Sequence, residues 1–199
     1  MNRNTREEYK ALPDGDYHLC LDRLEGRYLF YDEQDYRFGM AGVALAHLKF
    51  GVKVYAFELM TNHAHLVLHG SGEQCMRVFS FLKRRISEQL ISHGRMPLPD
   101  NYGFILKPLP DKEALRSEIL YVVRNPYEKE YCVPGGHRWG SGYLYFNELA
   151  SQIGGEKVSK LQKLQVRALT GSKEVLPPEW ILHPVLGVLP SNFVDVEAV

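Results

Sequence analysis

The spacing of hydrophobic positions changes several times along the chain, and each change predicts an element. Residues 17–25 (YHLCLDRLE) alternate, with Tyr17, Leu19 and Leu21 on one face, as in a half-buried strand. Over 33–50, Tyr36, Met40, Val43 and His47 fall at helical spacing, and Gly51 stands where a helix C-cap is expected. VKVYAFEL (52–59) and AHLVLHG (64–70) predict the two strands of a hairpin, joined by the short turn MTNH. Met76, Phe79, Leu82, Ile86 and Leu90 mark an amphipathic helix across 74–93, ended by Gly94. A short strand follows at 102–107, bounded by prolines at 97, 99, 108 and 110. Residues 111–125 predict a helix with Asp111 as N-cap, which Pro126 is expected to stop near Asn125.

The order β-α-β-β-α-β-α predicts an α+β fold. Its first six elements match a ferredoxin-like βαββαβ antiparallel sheet with helices on one face. Residues 1–150 read as one domain. Residues 151–199 read as a C-terminal appendage, made of a basic helix (156–170) and a Pro-rich acidic tail. At 199 residues, 45% hydrophobic and 12% aromatic, the chain can bury a core and is not a disordered one. No apolar run approaches the roughly 20 residues of a membrane span, and MNRNTREEYK has no apolar core of a secretory signal. Cys20, Cys75 and Cys132 are too few and too scattered for a disulfide framework or a cysteine zinc site. Free thiols in a reducing cytoplasm are the expectation.

Equal numbers of basic and acidic side chains, 24 of each, argue mildly against a protein that binds polyanions over its whole surface. The neutrality, however, is a sum of opposed blocks. Residues 1–35 and 174–199 each carry a net −4, whereas 74–110 and 156–173 each carry +4. Any nucleic-acid binding must therefore be local.

The candidate chemistry begins at Asn62-His63-Ala64-His65, at the start of a strand. Residues i and i+2 of a strand share a face, so both imidazoles project side by side, as two ligands of one divalent metal must. Alone, such a pair is more often structural than catalytic. His69 is in phase with it but reads as a strand-end polar residue. Tyr121 and Asn125 are i and i+4 on a helix, on a different stripe from the sheet-facing Leu115, Ile119 and Val122. With 12 tyrosines in the chain, periodicity cannot choose a nucleophile among them.

Four blocks in order, GRYLFYDEQDY, GVKVYAFELMTNHAHLVLHG, FLKRRISEQL and LYVVRNPYEKEYCVPGGHRWGSGY, resemble the HUH single-tyrosine transposases, in particular the REP-associated tyrosine transposases. The resemblance covers roughly 17–145. It implies that His63 and His65 are a metal-binding pair for Mg²⁺ or Mn²⁺, that Tyr121 is the nucleophile, and that Asn125 supplies a further metal ligand. It further implies cleavage and joining of single-stranded DNA at hairpin-forming ends through a 5′-phosphotyrosine. The tyrosine helix is open to two arrangements, acting in cis or exchanged in a homodimer. Two positions depart from the family pattern: Thr61, where proline is common, and Glu58, where an apolar residue is usual. Glu58 reads as a solvated-edge residue, with a place beside the metal as the alternative.

Lys83, Arg84 and Arg85, with Lys107 and Arg124, are candidate phosphate contacts; a solvated helix face is the competing reading for the consecutive three. Trp139 reads as a core or loop anchor, base stacking being the alternative. Two rival functions stay open, a domesticated, non-catalytic DNA-binding protein that keeps the fold and a metallohydrolase or cupin-like enzyme built on His-x-His.

Overall fold

The computed structural model describes residues 6–129, 133, 136–147 and 152–197. Its centre is a four-stranded antiparallel sheet in the order β2-β3-β1-β4, formed by β1 (Gly15–Leu21), β2 (Lys53–Met60), β3 (His63–Gly70) and β4 (Phe104–Leu109). β3 pairs antiparallel with both β1 and β2, so β1 and β2 run parallel with β3 between them. This is the split β-α-β arrangement expected of a ferredoxin-like fold. The α+β class read from the sequence holds.

The two crossovers are α2 (Glu33–Phe50) and α3 (Gly72–Ser92), which follow a short α1 (Arg6–Lys10). Their ends are capped, with Gly51 where it was expected. The Asp32 carboxylate accepts from the Asp35 N–H, and Gly51 closes α2 in the left-handed region at φ +67°. Ser71 and Gln74 form a capping box at the start of α3. The hairpin turn is only Thr61-Asn62, because Met60 pairs with His63.

Strand alternation divides the sheet into two unlike faces. Leu19, Leu21, Phe57, Leu59, Ala64, Leu66 and Leu68 point to one side and join the main core with α2 and α3. On the other side, Tyr55, Ala56, Val67 and Leu109 form a smaller cluster with Leu115, Ile119, Val122 and Val123 of α4 (Lys112–Lys129). The expectation for the first six elements holds, and the seventh adds a layer. The crossover helices share a face, and α4 covers the opposite one.

Three expectations change. β1 ends at Leu21 rather than residue 25, where the Asp22 N–H turns to the carbonyl of Gly103. α4 continues through Pro126 to Lys129 instead of stopping near Asn125. A proline inside a helix removes one backbone donor; here the last turn carries Tyr127, whose ring packs 6.1 Å from Phe146 on α5 (Gly142–Phe146). The predicted helix at 156–170 forms only as α6 (Lys163–Thr170), preceded by β5 (Glu156–Lys157) and a 3₁₀ turn.

The C-terminal segment packs against the main core. β5 joins β6 (Ile181–His183) and β7 (Gly187–Val188) in a second small sheet, and Trp180, Leu182, Val188 and Phe193 are buried in the main core. The Asp195 N–H donates to the carbonyl of Val54, tying the end of the described chain to β2. No described helix is long and apolar enough to cross a membrane. Cys20 and Cys75 are free thiols, while Cys132 lies outside the described residues.

Candidate active site

The face of the sheet turned toward α4 carries the chain's polar interior. In β3, His63 and His65 are both buried, their ring centroids 4.8 Å apart and nearly perpendicular. The same alternation that sends Ala64 and Leu66 into the main core sends these imidazoles to the α4 side. From α4, the Tyr121 ring meets His65 and His18 edge-on. Its centroid is 5.8 Å from that of His65 and 6.2 Å from that of His18. Asn125, one turn further on, is buried. Tyr121 itself is 47% exposed, so a nucleic-acid backbone can reach it. Tyr121 and the two histidines thus meet within a single chain, and Asn125 lies one turn from Tyr121 on the same helix.

Two buried polar atoms at this locus have no hydrogen-bond partner among the described residues, Nε2 of His65 and Oδ1 of Asn125. Both are good ligand atoms for a divalent first-row ion. Leaving such atoms unsatisfied is costly, which is the mark of a site that takes a further group. At His63, Nδ1 lies 2.8 Å from Oδ1 of Asn62; the amide oxygen accepts from Nδ1–H, which leaves Nε2 as the basic nitrogen. Burial, then the neighbouring His18 and His63, pushes the His65 pKa down to about 2, so this ring stays neutral, as a metal ligand must. In donor chemistry, His63, His65 and Asn125 suit a divalent ion.

Sequence reading missed the support behind His65. Nε2 of His18, on β1, is 2.9 Å from Nδ1 of His65. Nδ1 of His18 is 2.8 Å from a carboxylate oxygen of Glu118 on α4, whose other oxygen accepts from Lys107 of β4 at 2.5 Å. Hydrogen bonding from His18, then from Lys107, holds the Glu118 carboxyl down at about 2. The signal that would have found His18 is its place on the polar side of a strand whose other side, Tyr17-Leu19-Leu21, is wholly buried.

Glu58 corrects its expected place at a solvated edge. It is fully buried and pairs in register with His65. Its carboxylate accepts from the Gly142 N–H, and the segment around Gly140 lies along the β2 edge. There the Leu59 N–H donates to the Trp139 carbonyl, and the Ser141 N–H to that of Phe57. A Cβ on Gly140 would fall 2.0 Å from the Glu58 carboxylate, so only glycine allows this approach. Trp139 is an anchor, buried and stacked 5.3 Å from Tyr36 at 14°. His69 is committed to Asp16 and Asp14 and is no ligand.

The candidate phosphate contacts scatter. Arg85 is withdrawn from any DNA surface. It is buried, donates to the Thr170 carbonyl at 2.7 Å, and lies 4.0 Å from the centroid of Phe38. Lys83 donates to the carbonyls of Asp100 and Tyr102, and Arg84 is exposed near Glu88. All three belong to α3, on the sheet face opposite the histidine pair. Lys107 is held by Glu118 beside the site, and Arg124 is exposed on α4.

No protein-family model and no curated protein matches the chain. Among solved structures it is similar to one described as a REP-associated tyrosine transposase bound to a REP hairpin. The TM-score is 0.51 and the identity 13%, over 66% of this chain and 76% of that one. At that identity the likeness is one of fold, and the chain shares the architecture of a tyrosine transposase.

Proposed function

We propose that the chain is a metal-dependent enzyme that cuts and rejoins single-stranded DNA at hairpin-forming ends, through a 5′-phosphotyrosine on Tyr121. The observation that carries this reading is the single locus. A tyrosine ring 5.8 Å from His65 stands beside two buried, unpartnered ligand atoms, His65 Nε2 and Asn125 Oδ1. The fold shared with a transposase bound to a DNA hairpin supports the same reading. When bound, a divalent ion, Mg²⁺ or Mn²⁺, would neutralise charge developing on the scissile phosphate. The chain's own residues supply position. The Tyr121 oxygen attacks phosphorus as its proton leaves to solvent; the P–O3′ bond breaks and the freed 3′ oxygen takes a proton. The new phosphotyrosine keeps the phosphodiester's bond energy, so a 3′-OH can later reverse the step without ATP.

The nearness of Tyr121 to His65 within one chain supports action in cis rather than by exchange in a homodimer. Arg124, exposed on the same helix as Tyr121, and Lys107 are the candidate cations that can meet DNA at this face. The test is a denaturing gel of protein mixed with a single-stranded hairpin substrate and Mn²⁺. Wild type forms a covalent adduct, Tyr121→Phe forms none, and hairpin binding by the variant is retained. An adduct with Tyr121→Phe would overturn the nucleophile assignment. Binding without any adduct, in wild type, would favour the non-catalytic DNA-binding protein.

A further inference from the structure

The chain of contacts behind His65 runs through three polar side chains, His18, Glu118 and Lys107. It links three elements, β1, β4 and α4, through hydrogen bonds of 2.9, 2.8 and 2.5 Å that end on one side of a single imidazole. The direction of each bond follows from the chemistry of its partners. A carboxylate beside a lysine ammonium only accepts, so His18 carries its proton on Nδ1. Across the 2.9 Å contact one of the two facing nitrogens donates; His65 Nε2, with no acceptor among the described residues, is the poorer place for a buried proton, so His65 Nδ1 carries it and His18 Nε2 accepts. That leaves His65 Nε2 unprotonated, and Nε2 is the buried atom with no partner among the described residues.

We propose that His18 and Glu118 are positioning residues. They lock His65 in its Nδ1–H tautomer and fix the orientation of its ring, so that Nε2 is presented to the divalent ion. Resting on the metal site proposed above, this assigns roles to two residues that touch neither substrate nor metal. Without the acceptor on His18, His65 is free to put its proton on Nε2 or to rotate, and either change closes the ligand position. Metal-bound imidazoles generally depend on such a partner at the other nitrogen. The relay here is longer by one ring than a direct carboxylate contact. It places the carboxylate on α4, the helix that carries Tyr121 and Asn125, so the ligand's tautomer is set by the docking of that helix.

The experiment needs no DNA. Nitrogen-15 spectra of the metal-free protein read the tautomer of His65, and titration with Mn²⁺ reads affinity. Wild type should show the Nδ1–H form only; the Nε2–H form would overturn the proposal. His18→Phe keeps a ring of similar size but no acceptor. It should show mixed His65 tautomers and bind Mn²⁺ about 10- to 100-fold more weakly, with circular dichroism confirming that it folds. His18→Gln, whose carbonyl can stand near the Nε2 position, should recover most of the loss, which a purely space-filling role would not predict. Should His18→Phe not fold, Glu118→Leu gives the same reading, since it removes the acceptor that orients His18. Wild-type uptake of Mn²⁺ matched by a folded His18→Phe or Glu118→Leu overturns this inference alone. Absence of Mn²⁺ uptake by the wild type overturns the metal reading and the inference with it.

Discussion

The two faces of the central sheet are built from the same strands and share almost no chemistry. Toward α2 and α3, the strands present Leu19, Leu21, Phe57, Leu66 and Leu68 to a continuous apolar core that also absorbs Trp180 and Phe193 from the C-terminal segment. Toward α4 they present His18, Cys20, Glu58, His63, His65 and Lys107, with an apolar cluster of only modest size beside them. One face holds the molecule together and the other spends that stability on buried polar groups. The comparison explains how a sheet can carry several buried titratable side chains, since the opposite face supplies the hydrophobic burial that offsets their desolvation.

The comparison breaks most sharply at Leu66 and His65, adjacent in sequence and on opposite faces. Leu66→Ala should cost about 2–5 kcal/mol in urea unfolding, with Mn²⁺ binding intact in the folded fraction. His65→Ala should abolish Mn²⁺ binding while unfolding far less readily than Leu66→Ala. Equal losses of stability from the two would show that the faces are not divided as described. A second contrast lies within α3. Arg85→Ala removes a buried hydrogen bond to Thr170 and the packing on Phe38, and should cost about 1.5–3 kcal/mol. Arg84→Ala, next to it but exposed, should stay within about 0.5 kcal/mol in the same measurement.

A smaller effect separates the faces by pH. Glu118 is held at about 2 in the folded chain against 4.5 for an ordinary glutamate, so its contribution is present above about pH 4.5 and is lost as pH falls toward 2. His65 acts in the same direction from a higher pH. Its folded value is depressed to about 2, so the unfolded chain binds an extra proton below about 6.5. Urea midpoints should therefore decline from about pH 6.5 downward. In Glu118→Gln the part of the decline below about pH 4.5 should be shallower. A Glu118→Gln profile parallel to wild type over that lower range would remove Glu118 from the account.

Much of the architecture was open to reading because it is local. Alternation with period two placed the strands, and capping by Asp32, Gly51 and Ser71 is decided within a few residues of each helix end. The same locality made His63 and His65 share a face, and Tyr121 and Asn125 share a helix stripe, before any tertiary contact was known. Family resemblance was still needed to select Tyr121 among the tyrosines, because nothing in its spacing sets it apart. Local rules also misled. Pro126 looked like a helix stop, and residues 156–170 looked helical throughout, because neither reading includes the packing of Tyr127 on Phe146 or the pairing of β5 with β6.

The sequence by itself determined the order of elements from β1 to α4, the α+β class, and which side chains could stand together at i+2 on a strand or i+4 on a helix. Tertiary structure alone decided which of them meet. His18 and His65 are 47 positions apart and Glu118 lies on another element, so no period links them; only the β1–β3 register and the docking of α4 bring the three into line. The burial of Glu58 against Gly142 and of Arg85 against Thr170, across 84 and 85 positions, has the same origin. A charged side chain reads as solvent-facing in a linear sequence, and it can be buried only when the fold delivers a distant partner that satisfies it.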